Sequence, residues 1–245
     1  MPTSLFLVGL IKSGSTLLNR LMKPVTESAG FVFEAPANDL RQQGLELRDA
    51  DLTFVAEGHA YGGFRNLPWP LPNFAAGRTV FLARDPRDAL TSLYYSVAYS
   101  HRPPGTIAGD ALLRGFEARR ARALDQVIDD FVLQEAPARA RQIEETLRHL
   151  PPHRLYRYEE VIFAKQAWVT DMMGYLGLVV PDRRVTQIVA KHDVMPSEEA
   201  PHEHIRRVTP GDHREKLRPE TIQSLDIILS SVLRRLGYAA GPQEA

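Results

Sequence analysis

Leu5-Phe6-Leu7-Val8 is an unbroken apolar run closed by Gly9. Alternation would mark a half-exposed strand, so an unbroken run predicts a strand buried on both faces, from Ser4 to Val8. Thr79-Val80-Phe81-Leu82-Ala83 is a second run of this kind. Phe31 to Phe33 and Leu52 to Ala56 predict two shorter strands, and the alternating Arg154 to Tyr158 a fifth. The intervening segments carry helical spacing. Thr16 to Lys23 predicts a helix stopped by Pro24. Asp85-Pro86 opens another, running to about Ser100, because Asp85 can cap and proline suits the first helical position. Leu112, Phe116, Leu124, Val127, Ile128 and Phe131 predict a long helix, interrupted near Pro137 and resumed to about Leu150. Further helices are expected over Val161 to Leu176, Arg183 to Lys191 and Glu220 to Leu236, with irregular chain over 102–109 and 195–214. Strands alternating with helices predict an α/β fold: three layers, a mostly parallel sheet flanked by helices. The whole chain, 1–245, is expected to be one domain.

Composition narrows the chemistry. Thirty basic and thirty acidic residues cancel, so bulk charge offers no argument for nucleic acid or an anionic membrane as partner. With no cysteine, disulfides, thiolate catalysis and cysteine metal sites are excluded. No run has the length needed to span a bilayer and no basic segment precedes the first apolar run, so the expected location is the cytoplasm.

The first strand runs into Gly9-Leu10-Ile11-Lys12-Ser13-Gly14-Ser15-Thr16 and then a helix. Amides at a helix start, with the positive end of its dipole, form an anion site, and glycine lets the backbone approach a phosphate. Gly9, Gly14 and Thr16 fit the nucleotide-triphosphatase frame G-x-x-x-x-G-K-[ST], but Ser15 stands where its lysine belongs and Lys12 lies inside the loop. The second buried run ends in Arg84, at the sheet edge where open α/β folds bind ligands, and Ser92 follows two turns into the next helix. Arginine suits a phosphate because its planar fork binds two oxygens; an ion pair of Arg84 with Asp85 or Asp88 is the plainer alternative.

These two segments together resemble the sulfotransferases that use 3′-phosphoadenosine 5′-phosphosulfate (PAPS). Lys12-Ser13-Gly14-Ser15-Thr16-Leu17 is similar to that family's loop for the 5′-phosphosulfate. Arg84 through Tyr95 is similar to its 3′-phosphate segment, with Arg84 and Ser92 at the phosphate-binding positions. Tyr156-Arg157-Tyr158-Glu159-Glu160 resembles its strand with a tyrosine near the adenine, which implicates Tyr158. Arg206-Arg207-Val208-Thr209-Pro210-Gly211-Asp212-His213 resembles its late phosphate-covering loop, with Val208 in place of glycine and His213 in place of tryptophan. The resemblance implies a P-loop-like sulfotransferase fold and a sulfuryl group moved from PAPS to an acceptor hydroxyl, or an amine, leaving 3′-phosphoadenosine 5′-phosphate (PAP). It implies that Arg206 and Arg207 sit on a loop that is mobile until cofactor binds.

In-line sulfuryl transfer needs donors preorganised for the leaving phosphate, a role for Lys12 with Thr16 and the loop amides. Lysine and a helix start supply that charge, so no metal is expected; His202 and His204 flank Glu203 without an evident third ligand. The acceptor needs a base. His59 is the leading candidate, since after a strand over Leu52 to Ala56 it would reach the same sheet edge as Lys12 and Arg84. The family's cytosolic branch carries Lys-Thr-His where Glu57-Gly58-His59 stands here, so Glu57 is a rival base, and Glu34 a third. Tyr61, Phe64, Trp69, Phe74, Tyr94, Tyr95 and Tyr99, with Pro68, Pro70 and Pro72, could wall an acceptor pocket for a small molecule or glycan, or belong to the core. Two rival functions stay open: an ATP–magnesium kinase or triphosphatase, and a nucleotide-binding relic without turnover. The last helix could pair two subunits into a homodimer.

Overall fold

The computed structural model describes residues 2–45, 47, 52–67, 77–101, 103, 110–194, 196, 199, 202 and 206–239. They divide into two compact units. The first comprises Met1–Arg41, Leu45–Ala83 and Glu145–Val194; the second comprises Gln42–Gly44, Arg84–Glu144 and Met195–Ala245.

The first unit holds a five-stranded sheet of β1 (Leu5–Gly9), β2 (Val32–Glu34), β3 (His59–Phe64), β4 (Arg78–Ala83) and β5 (His153–Arg157), in the order β2-β3-β1-β4-β5. Every pairing is parallel. The helices of this unit are α1 (Ser15–Ser28), α2 (Pro36–Gln42), α6 (Tyr158–Val161), α7 (Lys165–Leu176) and α8 (Asp182–His192). Leu5, Leu7, Val80 and Leu82 of the central strands pack with Leu18, Leu21, Met22 and Val25 of α1 and with Trp168, Val169 and Met172 of α7. This is the covered parallel sheet that unbroken apolar runs require.

Two expectations need correction here. Leu52 to Ala56 is not a strand; Phe54 from this segment lies in an aromatic cluster, edge-on to Phe6 and Tyr61 at 5.4 and 4.8 Å. The strand is His59–Phe64, whose two glycines lower its β propensity but admit close neighbours. A Cβ on Gly62 would sit 2.6 Å from Asn19 Oδ1 and 2.8 Å from the Phe33 ring. Nor does Pro24 stop α1, which continues to Ser28. A proline inside a helix costs about 3 kcal/mol. Full burial of Met22 and Val25, each about 1.5–3 kcal/mol, offsets it, and Thr26 Oγ1 bonds back to the Met22 carbonyl at 2.9 Å.

The described part of the second unit is helical. It contains α3 (Pro86–Tyr95) continuing into a π-helical turn (Ser96–Ser100), α4 (Asp110–Asp125), most of α5 (Ile128–His149), α9 (Asp212–Lys216), α10 (Pro219–Ile228) and α11 (Ser230–Leu236). The break in the long helical run falls before Ile128, and Pro137 lies inside α5, contrary to the expected interruption. The single helix expected from Glu220 to Leu236 is two, meeting at Leu229, which is fully buried with Leu225, Val232 and Leu233.

Candidate functional site

The carboxyl end of β1 leads into a tight turn over 10–14. Ser13 closes it: its amide and its Oγ both donate to the Leu10 carbonyl, at 3.1 and 2.7 Å. Gly9 leaves no room for a side chain, since a Cβ would stand 2.7 Å from that of Ser15. Lys12 is held at φ 62°, the only described non-glycine residue in the left-handed region. Such strain of about 1–3 kcal/mol persists where the surroundings impose it, often at functional sites. Gly14, at φ 92°, is the residue before α1, and a Cβ there would meet the Tyr158 ring at 3.0 Å. Tyr158 is buried at the carboxyl end of β5, so its ring lies against the loop.

No side chain caps α1 and no acidic residue stands in its first turn. The Leu18 amide makes the first helical bond, to the Gly14 carbonyl, which leaves the Ser15, Thr16 and Leu17 amides without an acceptor along the helix. An uncapped helix start that follows a lysine is a candidate site for a phosphate-like anion. Lys12, Ser13, Gly14, Ser15, Thr16, Leu17 and Tyr158 are thus brought together in the first unit. Its residues fit the anionic end of a nucleotide donor, because the donor set is all N–H, O–H and ammonium.

The three candidate bases are not brought to this loop. β3 is parallel to β1 with Leu5 opposite Ala60 and Val8 opposite Phe64, so His59 opens the strand and lies at the amino end of the sheet. That corrects the expectation that it shares an edge with Lys12. His59 precedes Phe64 by five residues, about 16 Å at 3.3 Å per residue, whereas a base must approach within about 3 Å of its proton. Glu57 bridges to Thr3, further still toward the amino end. Glu34 is level with Tyr61, and its Oε1 lies 2.6 Å from His59 Nδ1, so these two hold one another. Tyr61 and Phe64, offered as acceptor-pocket walls, are core residues at 2% and 1% exposure. Pro68, Trp69, Pro70, Pro72 and Phe74 lie outside the described residues.

At the carboxyl end of β3 stands Arg65, which the sequence reading passed over. Its level matches the residue after Val8, so it flanks the loop across one strand spacing, about 4.8 Å. Arg41, near the end of α2, donates to Asn38 Oδ1 at 2.6 Å and to the Gly63 carbonyl at 3.1 Å.

The second unit has a different cluster, centred on Asp88, which the sequence reading named only as an alternative partner of Arg84. Asp88 is fully buried. Its Oδ2 accepts from the Gly211 amide at 2.7 Å and its Oδ1 from the His213 amide at 3.0 Å. His213 Nδ1 is 2.5 Å from Oδ1, and Arg84 Nη2 is 3.5 Å from Oδ2. Burial alone would raise this carboxyl's pKa; the His213 hydrogen bond, then the Arg84 charge, outweigh it and hold it well below the usual carboxylate range. Arg206 pairs with Asp212 and Glu199 and lies 4.1 Å over the Tyr95 ring. Arg207 meets Glu215 through two bonds of 2.5 and 2.6 Å. Both arginines of the late loop are therefore engaged by carboxylates. Ser92 is half-buried on α3, one turn beyond Asp88. The fork of Asp88 ties α3 to a segment more than 120 residues away, and its i,i+4 spacing from Arg84 was the one local sign of it.

Among the described residues no group of three or more His, Asp or Glu could hold a metal ion, and no helix is long and apolar enough to cross a membrane. His202 lies edge-on to Tyr99 at 5.5 Å, while Glu203 and His204 lie outside the described residues.

The sequence matches no protein-family model and no curated protein. Among solved structures the chain is similar to mouse sulfotransferase SULT7A1 complexed with PAP, over 95% of this chain and 84% of that one, at 14% identity and TM-score 0.61. It also aligns with retinol dehydratase in complex with retinol and PAP, at 15% identity over all of this chain and 84% of that one; a TM-score of 0.49 is too loose to carry an argument. The chain has the sulfotransferase fold.

Proposed function

We propose that the protein is a sulfotransferase that takes the sulfuryl group from PAPS and places it on a hydroxyl, or an amine, of a small-molecule or glycan acceptor. The observation that carries this reading is the uncapped start of α1, with strained Lys12 on one side and Tyr158 packed on Gly14, in a chain of sulfotransferase fold. In this reading Lys12, Ser13, Gly14, Ser15, Thr16 and Leu17 receive the 5′-phosphosulfate and Tyr158 lies near the adenine. Arg84, Ser92, Arg206 and Arg207 are assigned to the 3′-phosphate on the sequence resemblance, and 1–245 to a single sulfotransferase domain acting in the cytoplasm.

PAPS would supply an activated sulfuryl group. Transfer to an acceptor hydroxyl would break the bond from sulfur to the 5′-phosphate oxygen as the acceptor oxygen bonds to sulfur, would release the acceptor proton to solvent, and would leave negative charge on the phosphate. Lys12 and the α1 amides meet that charge with donors already oriented, which needs no reorganisation during transfer. No metal enters this scheme.

A second reading, nucleotide binding without turnover, is favoured by one observation: His59 and Glu57 stand toward the amino end of the sheet, and Glu34, level with Tyr61, is held by His59. Thermal stabilisation by PAP, beside ATP with magnesium, tests both in wild type, Lys12→Ala and Arg84→Ala, because a ligand of the folded state raises its stability by mass action. The sulfotransferase reading expects a large PAP shift, reduced in both variants and unmatched by ATP. A shift with ATP and magnesium alone would replace it by the kinase. PAP binding with no sulfate transfer to any acceptor supplied with PAPS would favour the non-catalytic reading.

A further inference from the structure

Arginines buried or half-buried in this protein usually meet a carboxylate. Arg84 meets Asp88, Arg87 meets Asp85 and Asp226, Arg206 meets Glu199 and Asp212. Arg65 departs from that habit, as does Arg120, which donates to the Val97 and His101 carbonyls, and the more exposed Arg41 near Arg65 is likewise held by neutral acceptors. Arg65 is half-buried, and among the described residues it has neither a hydrogen bond nor an ion pair. Arg41 is exposed along its side chain, but its head group is fixed by two neutral acceptors, Asn38 Oδ1 and the Gly63 carbonyl. Gly63 precedes Arg65 by two residues, so the end of α2 is held against the carboxyl end of β3. Burial, and then the charge of Arg65, pull the Arg41 guanidinium down to about 10. Burial lowers Arg65 as well. Arg65 is the more buried of the two and Arg41 the more exposed, and two like charges whose interaction disfavours both are an arrangement that a bound anion relieves.

The sheet order says which anion. From β1 the phosphate loop has β4 and β5 on one side, and Tyr158, at the end of β5, packs on Gly14 from there. β3 and β2 lie on the other side, and Arg65 and Arg41 follow them. The pair thus flanks the loop on the side away from Tyr158, the side left to the acceptor if the nucleotide extends toward that tyrosine.

We propose that Arg65 and Arg41 bind a negatively charged group of the acceptor, a carboxylate or a sulfate ester, so that the acceptor is an anionic molecule. The proposal rests on the sulfotransferase reading of the loop. The planar guanidinium suits both groups, since each offers two oxygens to its fork.

Three matched 4-nitrophenyl β-D-glucosides test it: the uncharged sugar, the glucuronide, and the 6-O-sulfate. Their binding is followed by ligand-observed NMR titration, with and without saturating PAP, in wild type, Arg65→Gln, Arg41→Gln and Arg65→Lys. One charged glucoside is expected to bind at least tenfold more tightly than the uncharged one, and which of the two does so identifies the group. Arg65→Gln should erase the preference, Arg65→Lys should retain part of it, and PAP affinity should stay within twofold in both. Arg65→Gln should fold at least as well as wild type, because it removes a half-buried cation whose charge disfavours that of Arg41. Equal binding of all three glucosides by wild type overturns the proposal, as does a preference that survives in both glutamine variants. Joint loss of PAP and glucoside binding in Arg65→Gln overturns it too, assigning the pair to the donor. If PAP fails to bind wild type, the sulfotransferase reading falls and the acceptor assignment with it. The charged-over-neutral preference measured without nucleotide then decides separately whether the pair is an anion site.

Discussion

Two helices of this protein follow a buried parallel strand within a few residues, and they treat their amino ends oppositely. α1 follows β1 with no capping side chain and no acid in its first turn. α3 follows β4 with Asp85 accepting from the Arg87 amide at 2.9 Å and with Asp88 one turn in. A helix start is a half-unit of positive charge that something negative must meet. At α3 the protein meets it with its own carboxylates, and Asp88 then gathers Arg84, Gly211 and His213 into a structural knot. At α1 no carboxylate stands in the first turn, and Lys12 precedes it. The same local motif is therefore closed by acids in one place and, in the proposed function, open for an anion in the other.

The comparison breaks most visibly at Asp88. Asp88→Ala removes the acceptor of two amides and a histidine, together with the carboxylate 3.5 Å from buried Arg84, so urea denaturation should register a loss of about 3–5 kcal/mol. Acid should do the same by degrees. Because the folded pKa of Asp88 is lowered, its contribution is fully present above the unfolded carboxyl value near pH 4 and is lost as pH falls below that, through the still lower folded value. The urea midpoint of wild type minus that of Asp88→Asn should accordingly be constant from pH 7 to about 5 and shrink toward pH 2.5. A difference that grows on acidification would contradict this sign.

At the open helix the stability effects are smaller and the binding effects larger. Gly14→Ala places a Cβ at φ 92° and 3.0 Å from Tyr158, and should cost about 1–2 kcal/mol while abolishing the PAP thermal shift. Lys12→Gly relieves the left-handed strain at φ 62° and should raise stability by about 1 kcal/mol, yet weaken PAP binding at least tenfold by calorimetry. Thr16→Asp supplies the missing acid to the first turn. It should stabilise the ligand-free protein by about 0.3–1 kcal/mol and eliminate the PAP shift, turning α1 electrostatically into a copy of α3. Undiminished PAP binding in Thr16→Asp would mean that the open helix start is not the anion site.

Much of this was legible along the chain. Unbroken apolar runs marked β1 and β4, the Asp85-Pro86 start marked α3, and Lys12 through Leu17 marked the loop, because each signal lies within a few residues of what it predicts. β3 was not legible. The apolar segment around Phe54 looked more like a strand than His59–Phe64, whose glycines are there for neighbours the local pattern does not contain: Asn19 and Phe33 at Gly62, and Asn38 at Gly63. With the strand at His59–Phe64, His59 stands at the amino end of the sheet and Arg65 at the carboxyl end. α1 likewise ran through Pro24 because burial of its far half outweighed the local penalty.

The sequence by itself determined the alternation of strands and helices, the glycine-bearing turn between β1 and α1, and the pairing of two motifs that resembles a sulfotransferase. These depend on backbone preferences and side-chain periods that act between near neighbours. Only the tertiary structure decided which end of the sheet each polar residue occupies, that Arg41 is tied to the Gly63 carbonyl two residues before Arg65, and that Asp88 belongs to Gly211 and His213. Register and partnership at such separations follow from how the whole chain packs, since a one-residue slip moves a strand's side chains to the opposite face.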